Sequence, residues 1–156
     1  MTDTLSTATR PCLTVVVAAF NEAAALPLLH ARVAAVLATL PDLDGHMVYV
    51  DDGSTDGTWD IICRLAAEDG RVRALRLSRN FGKEAALTAG LDQVHQGAAM
   101  ILDADCQDPP ELIPAFVARW REGYDNIYGT RLARAGESWT KRATANLFYR
   151  VIGRLS

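Results

Sequence analysis

Hydrophobic positions along this chain switch repeatedly between unbroken apolar runs and helical spacing. Residues 13–19 form a continuous, β-branched apolar run ending at the polar pair Asn21-Glu22, the pattern of a strand covered on both faces. Across residues 26–40, Leu29, Val33, Val36, Leu37 and Leu40 recur at helical spacing until Pro41 stops them. The alternation continues with a strand at 46–50, a helix at 58–68 that turns Ile61, Ile62 and Leu65 inward, and a strand at 72–77. A helix at 83–94 closed near Gly97, a strand at 98–102, a helix at about 111–122 and a short fifth strand at 125–128 complete it. Pro109, Pro110 and Pro114 bound the start of the fourth helix, because proline is tolerated only in or beside a first turn. Strands alternating with helices of this length need right-handed crossovers, which predicts an α/β fold: a mainly parallel sheet with helices on both faces.

The last stretch differs in character. Ala143, Leu147, Phe148, Val151, Ile152 and Leu155 would share one helical face, and residues 131–154 carry six basic residues and one acid, Glu137. A basic amphipathic helix over 136–156 is a candidate membrane-surface element; the alternative is a helix packed on the sheet.

Composition narrows the classes. A chain of 156 residues, 49% hydrophobic, supports one domain with a substantial core and not two. A net charge of −3 gives no general attraction to nucleic acid, and no nucleic-acid module is recognisable. Residues 1–12 are polar and flexible in character, with no continuous apolar core of a secretory signal, from which the protein is expected to begin in the cytosol. Cys12, Cys63 and Cys106 are odd in number and lack C-x-x-C spacing, so a disulfide framework and a zinc site are both disfavoured. No apolar stretch reaches the roughly 20 residues of a spanning helix.

Two acidic clusters stand at the carboxyl ends of expected strands, where open α/β sheets bind ligands. In the first, Asp51-Asp52-Gly53-Ser54-Thr55-Asp56, a carboxylate can accept hydrogen bonds from a ribose or base edge; alternatively Thr55 or Asp56 caps the next helix. No G-x-G-x-x-G follows the first strand, which disfavours a dinucleotide cofactor. In the second, Asp103-Ala104-Asp105-Cys106-Gln107-Asp108, the paired Asp103 and Asp105 suit Mg²⁺ or Mn²⁺ carrying phosphate oxygens. Asp108 with Glu111 reads as a capping box, and Cys106, too soft for a hard cation, as packing.

Taken in order, Ala19-Phe20-Asn21-Glu22, Val50 to Asp56, Arg79-Asn80-Phe81-Gly82-Lys83-Glu84, Asp103 to Glu111 and Tyr128-Gly129-Thr130-Arg131 resemble the family-2 glycosyltransferases, nearest the polyprenyl-phosphate and dolichyl-phosphate sugar transferases. The resemblance implies a Rossmann-like nucleotide-diphospho-sugar transferase fold over 13–135, incomplete at its C-terminal side, and a chain that is the N-terminal part of a longer enzyme. It implies that Ala19, Asn21, Glu22, Asp51, Asp52, Lys83 and Asp103 bind the nucleotide of a UDP- or GDP-sugar. Asp103, Asp105 and Gln107 would hold the metal, and Asp105 and Arg131 would serve catalysis. Ala19 departs from the proline common there, and Cys106 from a common leucine.

The implied reaction is inverting, Mg²⁺- or Mn²⁺-dependent transfer to a lipid phosphate, a polyprenyl phosphate, at the cytoplasmic face of the membrane. Homo-oligomer formation is left open. The alternatives are the same donor chemistry with a glycan or other hydroxyl acceptor, or a non-catalytic nucleotide-binding module. A phosphoacceptor receiver domain would leave the second acidic pair unexplained.

Overall fold

A computed structural model describes residues 10–130. Four strands, β1 (Cys12–Ala19), β2 (Asp44–Asp51), β3 (Val72–Arg76) and β4 (Ala98–Asp103), form one sheet in the order β3-β2-β1-β4. Every neighbouring pair is parallel, with Val16 opposite Val48 on one side and Ile101 on the other. The connections are the helices α1 (Leu26–Ala38), α2 (Thr58–Glu68) and α3 (Lys83–Leu91); after β4 come a 3-10 turn, Pro110–Leu112, and α4 (Ile113–Arg121).

The unbroken apolar run of β1 is explained by its two covered faces. Val15 and Val17, with Met47 and Tyr49 of β2, pack with Leu26, Leu29 and Val33 of α1, Ile62 of α2, and Ile113 and Val117 of α4. Val16, Val48 and Val50 face the opposite way, onto Ala86 of α3. Full burial of each such side chain is worth about 1.5–3 kcal/mol. At Gly90 of α3 an added Cβ would meet Val16 Cγ1 at 2.5 Å and Val50 Cγ2 at 3.0 Å, so the missing side chain lets the helix lie close to the sheet. The chain moves outward from β1 to β3, then returns through α3 to place β4 on the other side of β1. Strand order therefore reverses between β1 and β4, and the crevice of such a sheet opens beyond the carboxyl ends of those two strands.

Several boundaries differ from the sequence expectation. α1 ends at Ala38 rather than at residue 40, because Thr39 and Leu40 bond to Val36 and Leu37 as a turn, while Leu40 still packs on the core. α3 likewise stops at Leu91, and turn bonds carry Gln93 and Val94 onward with Val94 still packed. Apolar spacing thus outlasts the helix in both places. β2 begins two residues before residue 46, because Asp44 and Gly45 ladder with Cys12 and Leu13, a register that hydropathy does not reveal. Residues 125–128 form no strand: a strand exists through its ladder, and they have no ladder partner among the described residues. Arg131 and the segment 136–156 lie outside the described residues, as does most of 1–12.

Among the described residues, no helix is long and apolar enough to cross a membrane.

Candidate functional site

The loops after β1 and β2 are lashed together by the polar residues that follow each strand. Asn21 adopts φ 56°, a left-handed conformation that asparagine tolerates better than most residues. Its backbone N–H donates to Ser54 Oγ at 2.9 Å, and its Oδ1 accepts from the Thr55 N–H at 2.9 Å. The Glu22 N–H donates to the buried Thr58 Oγ1 at 2.9 Å, and Ala23 N–H to Asp56 Oδ2 at 3.3 Å. Asp56 Oδ1 accepts from both the hydroxyl and the N–H of Thr58. Those bonds, the hydroxyl bond foremost, hold its carboxyl below the usual range.

Asp51 and Asp52 diverge in role. Asp51 is fully buried; Oδ1 accepts the Ser54 N–H at 3.0 Å, and Oδ2 lies 3.1 Å from Arg76 Nε. That second contact is an ion pair without an aligned hydrogen bond, so Oδ2 keeps no hydrogen-bond donor. Asp52, also buried, accepts Phe81 N–H on Oδ1 at 2.8 Å and Gly82 N–H on Oδ2 at 2.9 Å. One carboxylate thereby fixes the loop leading into α3. Gly53, at φ 69°, allows the close crossing: a Cβ there would stand 2.3 Å from the Arg79 carbonyl carbon.

A cavity of about 300 Å³ opens at the switch point, with Ala19, Phe20, Glu22, Asp52, Lys83, Asp103 and Asp105 in its wall. Lys83 Nζ donates to Asp103 Oδ1 at 2.6 Å, and this bond raises the ammonium's pKa above its ordinary value, with smaller support from the charges of Asp105 and Asp108. Asp105 is exposed, and its Oδ1 accepts the Gln107 N–H at 3.0 Å. Cys106, at φ 59°, packs against the core beneath this loop.

Of the residues singled out in the sequence, Ala19, Glu22, Asp52, Lys83, Asp103 and Asp105 share the cavity wall. Asn21, Asp51 and Gln107 stand off it: Asn21 is bonded between the two loops, Asp51 is buried on the Ser54 N–H and Arg76, and Gln107 is exposed. The wall adds Phe20, Asn80 and Gly82, to which the sequence alone assigns no separate role. The available signal was a glycine just before a helix; Gly82 takes φ 97° there.

The expected capping box is corrected at Glu111. Neither the 3-10 turn nor α4 has a side-chain cap, and Glu111 instead grips Arg32 of α1 through two bonds of 2.9 and 2.6 Å. The arginine's forked donors outcompete a single backbone N–H for a carboxylate. That partner, distant in sequence, holds the Glu111 carboxyl below its ordinary range.

Among the described residues, no three His, Cys, Asp or Glu side chains gather as a metal cage. Two carboxylates in the cavity wall nevertheless fit Mg²⁺ or Mn²⁺, which bind through one or two carboxylates and complete their shells with water and substrate phosphate.

An open parallel sheet whose charged side chains meet at its switch point defines a ligand-binding α/β protein. Within that class the chain belongs to glycosyltransferase family 2, the family model "Glycosyl transferase family 2" matching residues 14–155. It is 44% identical over 144 residues to an uncharacterized glycosyltransferase of Synechocystis sp., covering 92% of this chain and 45% of that protein. It is 38% identical over 144 residues to the bactoprenol glucosyl transferase of Shigella phage SfX, covering 92% and 47%. A solved mannosyltransferase, PcManGT from Pyrobaculum calidifontis in complex with GDP-Man and Mn²⁺, superposes with a TM-score of 0.56 at 29% identity over 72% of this chain and 33% of that one. The chain spans less than half the length of these curated relatives.

Proposed function

We propose that this chain is the donor-binding part of an inverting, metal-dependent glycosyltransferase that moves a sugar from a UDP- or GDP-sugar to a polyprenyl phosphate. The observation that carries the reading is the meeting of Asp103, Asp105 and Lys83 in one cavity wall at the switch point of the sheet. The relatives support it: one is named for bactoprenol, and PcManGT holds GDP-Man with Mn²⁺.

In this reading Asp52 faces the nucleoside. Each of its oxygens accepts one backbone N–H and retains a lone pair for a ribose hydroxyl or base N–H. Asp51 and Asn21 support it from behind the wall, and Glu22 and Ala19 border the pocket. Asp103 and Asp105, aided by Gln107 of the same loop, would hold Mg²⁺ or Mn²⁺, which when bound supplies positive charge to the departing nucleoside diphosphate. Lys83 donates to the phosphates, and Arg131, outside the described residues, adds a second cation to the same leaving group. A phosphate acceptor, with a second pKa of about 6, is already largely ionised at neutral pH, so no general base is required. Glu111, engaged by Arg32, is consistent with that economy.

The basic segment 136–156 is proposed to meet an anionic membrane surface, where a lipid acceptor would reside. Sedimentation with anionic vesicles, weakened by salt, supports this; equal sedimentation with neutral vesicles contradicts it.

Incubating the protein with radiolabelled UDP-glucose or GDP-mannose tests the acceptor. Label extracted with undecaprenyl phosphate is the expected result. Label delivered only to a hydroxyl acceptor overturns the lipid-phosphate assignment.

A further inference from the structure

The ion pair between Lys83 and Asp103 joins two side chains with independent anchors. Asp103 ends β4, paired with Ala18 of β1. Lys83 opens α3, whose preceding N–H groups are clamped by Asp52 and whose body is seated on the sheet at Gly90. The Lys83 stem can therefore swing its ammonium while its backbone stays in place. The side chains are 53% and 33% exposed, so the 2.6 Å pair is hydrated and exchangeable rather than locked.

We propose that Lys83 is a resident stand-in for the divalent cation, making metal capture at Asp103 conditional on the presence of a diphosphate. The inference rests on the metal-dependent reading above and adds an order of assembly to it. With Lys83 on Asp103, that carboxylate is already neutralised. A dication arriving alone must displace the ammonium and then face it across a few ångströms, an unfavourable like-charge arrangement. A nucleoside diphosphate reverses the balance. Its anionic oxygens accept from Lys83 as the ammonium leaves Asp103, and they complete the cation's shell. Metal and diphosphate then bind with positive coupling through Lys83, and each tightens the other by the same factor.

Mn²⁺ titration, alone and with GDP or UDP, tests this in the wild-type protein, Lys83→Gln, Lys83→Arg and Asp103→Asn. Thermal melts accompany each variant to confirm folding. Lys83→Gln is expected to bind Mn²⁺ alone about fivefold more tightly, at the lower end of ordinary coupling, and to show a correspondingly smaller effect of the nucleotide on Mn²⁺ affinity. Lys83→Arg, which keeps the charge, should retain that effect, and Asp103→Asn should weaken Mn²⁺ in every condition. Unchanged Mn²⁺ affinity and unchanged coupling in Lys83→Gln, with Asp103→Asn still weakened, overturn the stand-in role and leave the metal-dependent reading intact. Nucleotide binding indifferent to Mn²⁺ in the wild-type protein overturns both.

Discussion

Asp52 shows how one side chain connects stability to the site. Its two oxygens satisfy the N–H groups of Phe81 and Gly82 at a loop crossing too tight for any residue but Gly53. Asp52→Asn keeps one oxygen for the Phe81 N–H and turns its amide NH₂ toward the Gly82 N–H, which then relies on Asn80 Oδ1 at 3.0 Å alone. Losing one part-buried hydrogen bond to a charged acceptor costs about 1 kcal/mol, so the urea midpoint should fall by a corresponding amount and nucleotide affinity should fall with it. An unchanged midpoint contradicts the clamp. The Asp51-Asp52 pair was legible in the sequence as chemically significant, because two carboxylates exceed what a cap requires. Their division of labour was not: which carboxylate faces the cavity depends on where Arg76 and the Phe81-Gly82 backbone arrive, and both are distant in sequence. Glu111 failed as a predicted cap for the same reason, since Arg32 lies 79 residues away.

At the scale of elements, α3 is the helix whose seating matters most to the site, because Lys83 is its first residue. Gly90→Ala gains about 1 kcal/mol of helix propensity. Against this, the new methyl would sit 2.5 Å from Val16 Cγ1, and overpacking typically costs about 1–3 kcal/mol. Overpacking is expected to win, lowering the melting temperature and weakening nucleotide binding; a stabilised Gly90→Ala variant contradicts the seating.

A second element-scale contact joins α1 to the α2–β3 connection. His30 Nδ1 lies 3.3 Å from the Tyr49 hydroxyl, and Nε2 3.7 Å from Asp69 Oδ2, while Arg71 grips Asp69 at 2.7 Å. Burial pushes the His30 pKa below its ordinary value and outweighs the raising influence of Asp69 and Glu68, with Arg71 acting in the lowering direction. The unfolded chain therefore binds a proton near pH 6.5 that the fold resists, and stability should fall as pH drops below that value. Asp69, held at about 2 chiefly by its bond to Arg71, contributes stability above the ordinary carboxylate pKa, lost only as pH falls from about 4 toward 2. Urea unfolding between pH 7.5 and 5 should show the decline, and His30→Gln should flatten it; an identical slope contradicts the burial account.

For the molecule as a whole, the fold was legible because each local period agreed with its neighbours, and the right-handed crossover rule turns alternating strands and helices into a parallel sheet. The order β3-β2-β1-β4 was not spelled out by periodicity, although it decides that the site lies between β1 and β4. The expected strand at 125–128 shows the limit: a short segment becomes a strand only where a neighbour supplies the ladder. Of the candidate site, the order and spacing of five motifs carried the family, whereas the cavity wall needed the loop crossings made by Asn21, Asp52 and Gly53.

In the proposed function, the acidic pair after β4 joins a divalent cation to a nucleotide. Calorimetric titration of GDP and UDP into the wild-type protein and Asp105→Ala, with and without Mn²⁺, reads that junction out. Mn²⁺ is expected to tighten at least one nucleotide in the wild-type protein, and Asp105→Ala to abolish the gain; equal binding with and without Mn²⁺ in both proteins overturns the metal assignment.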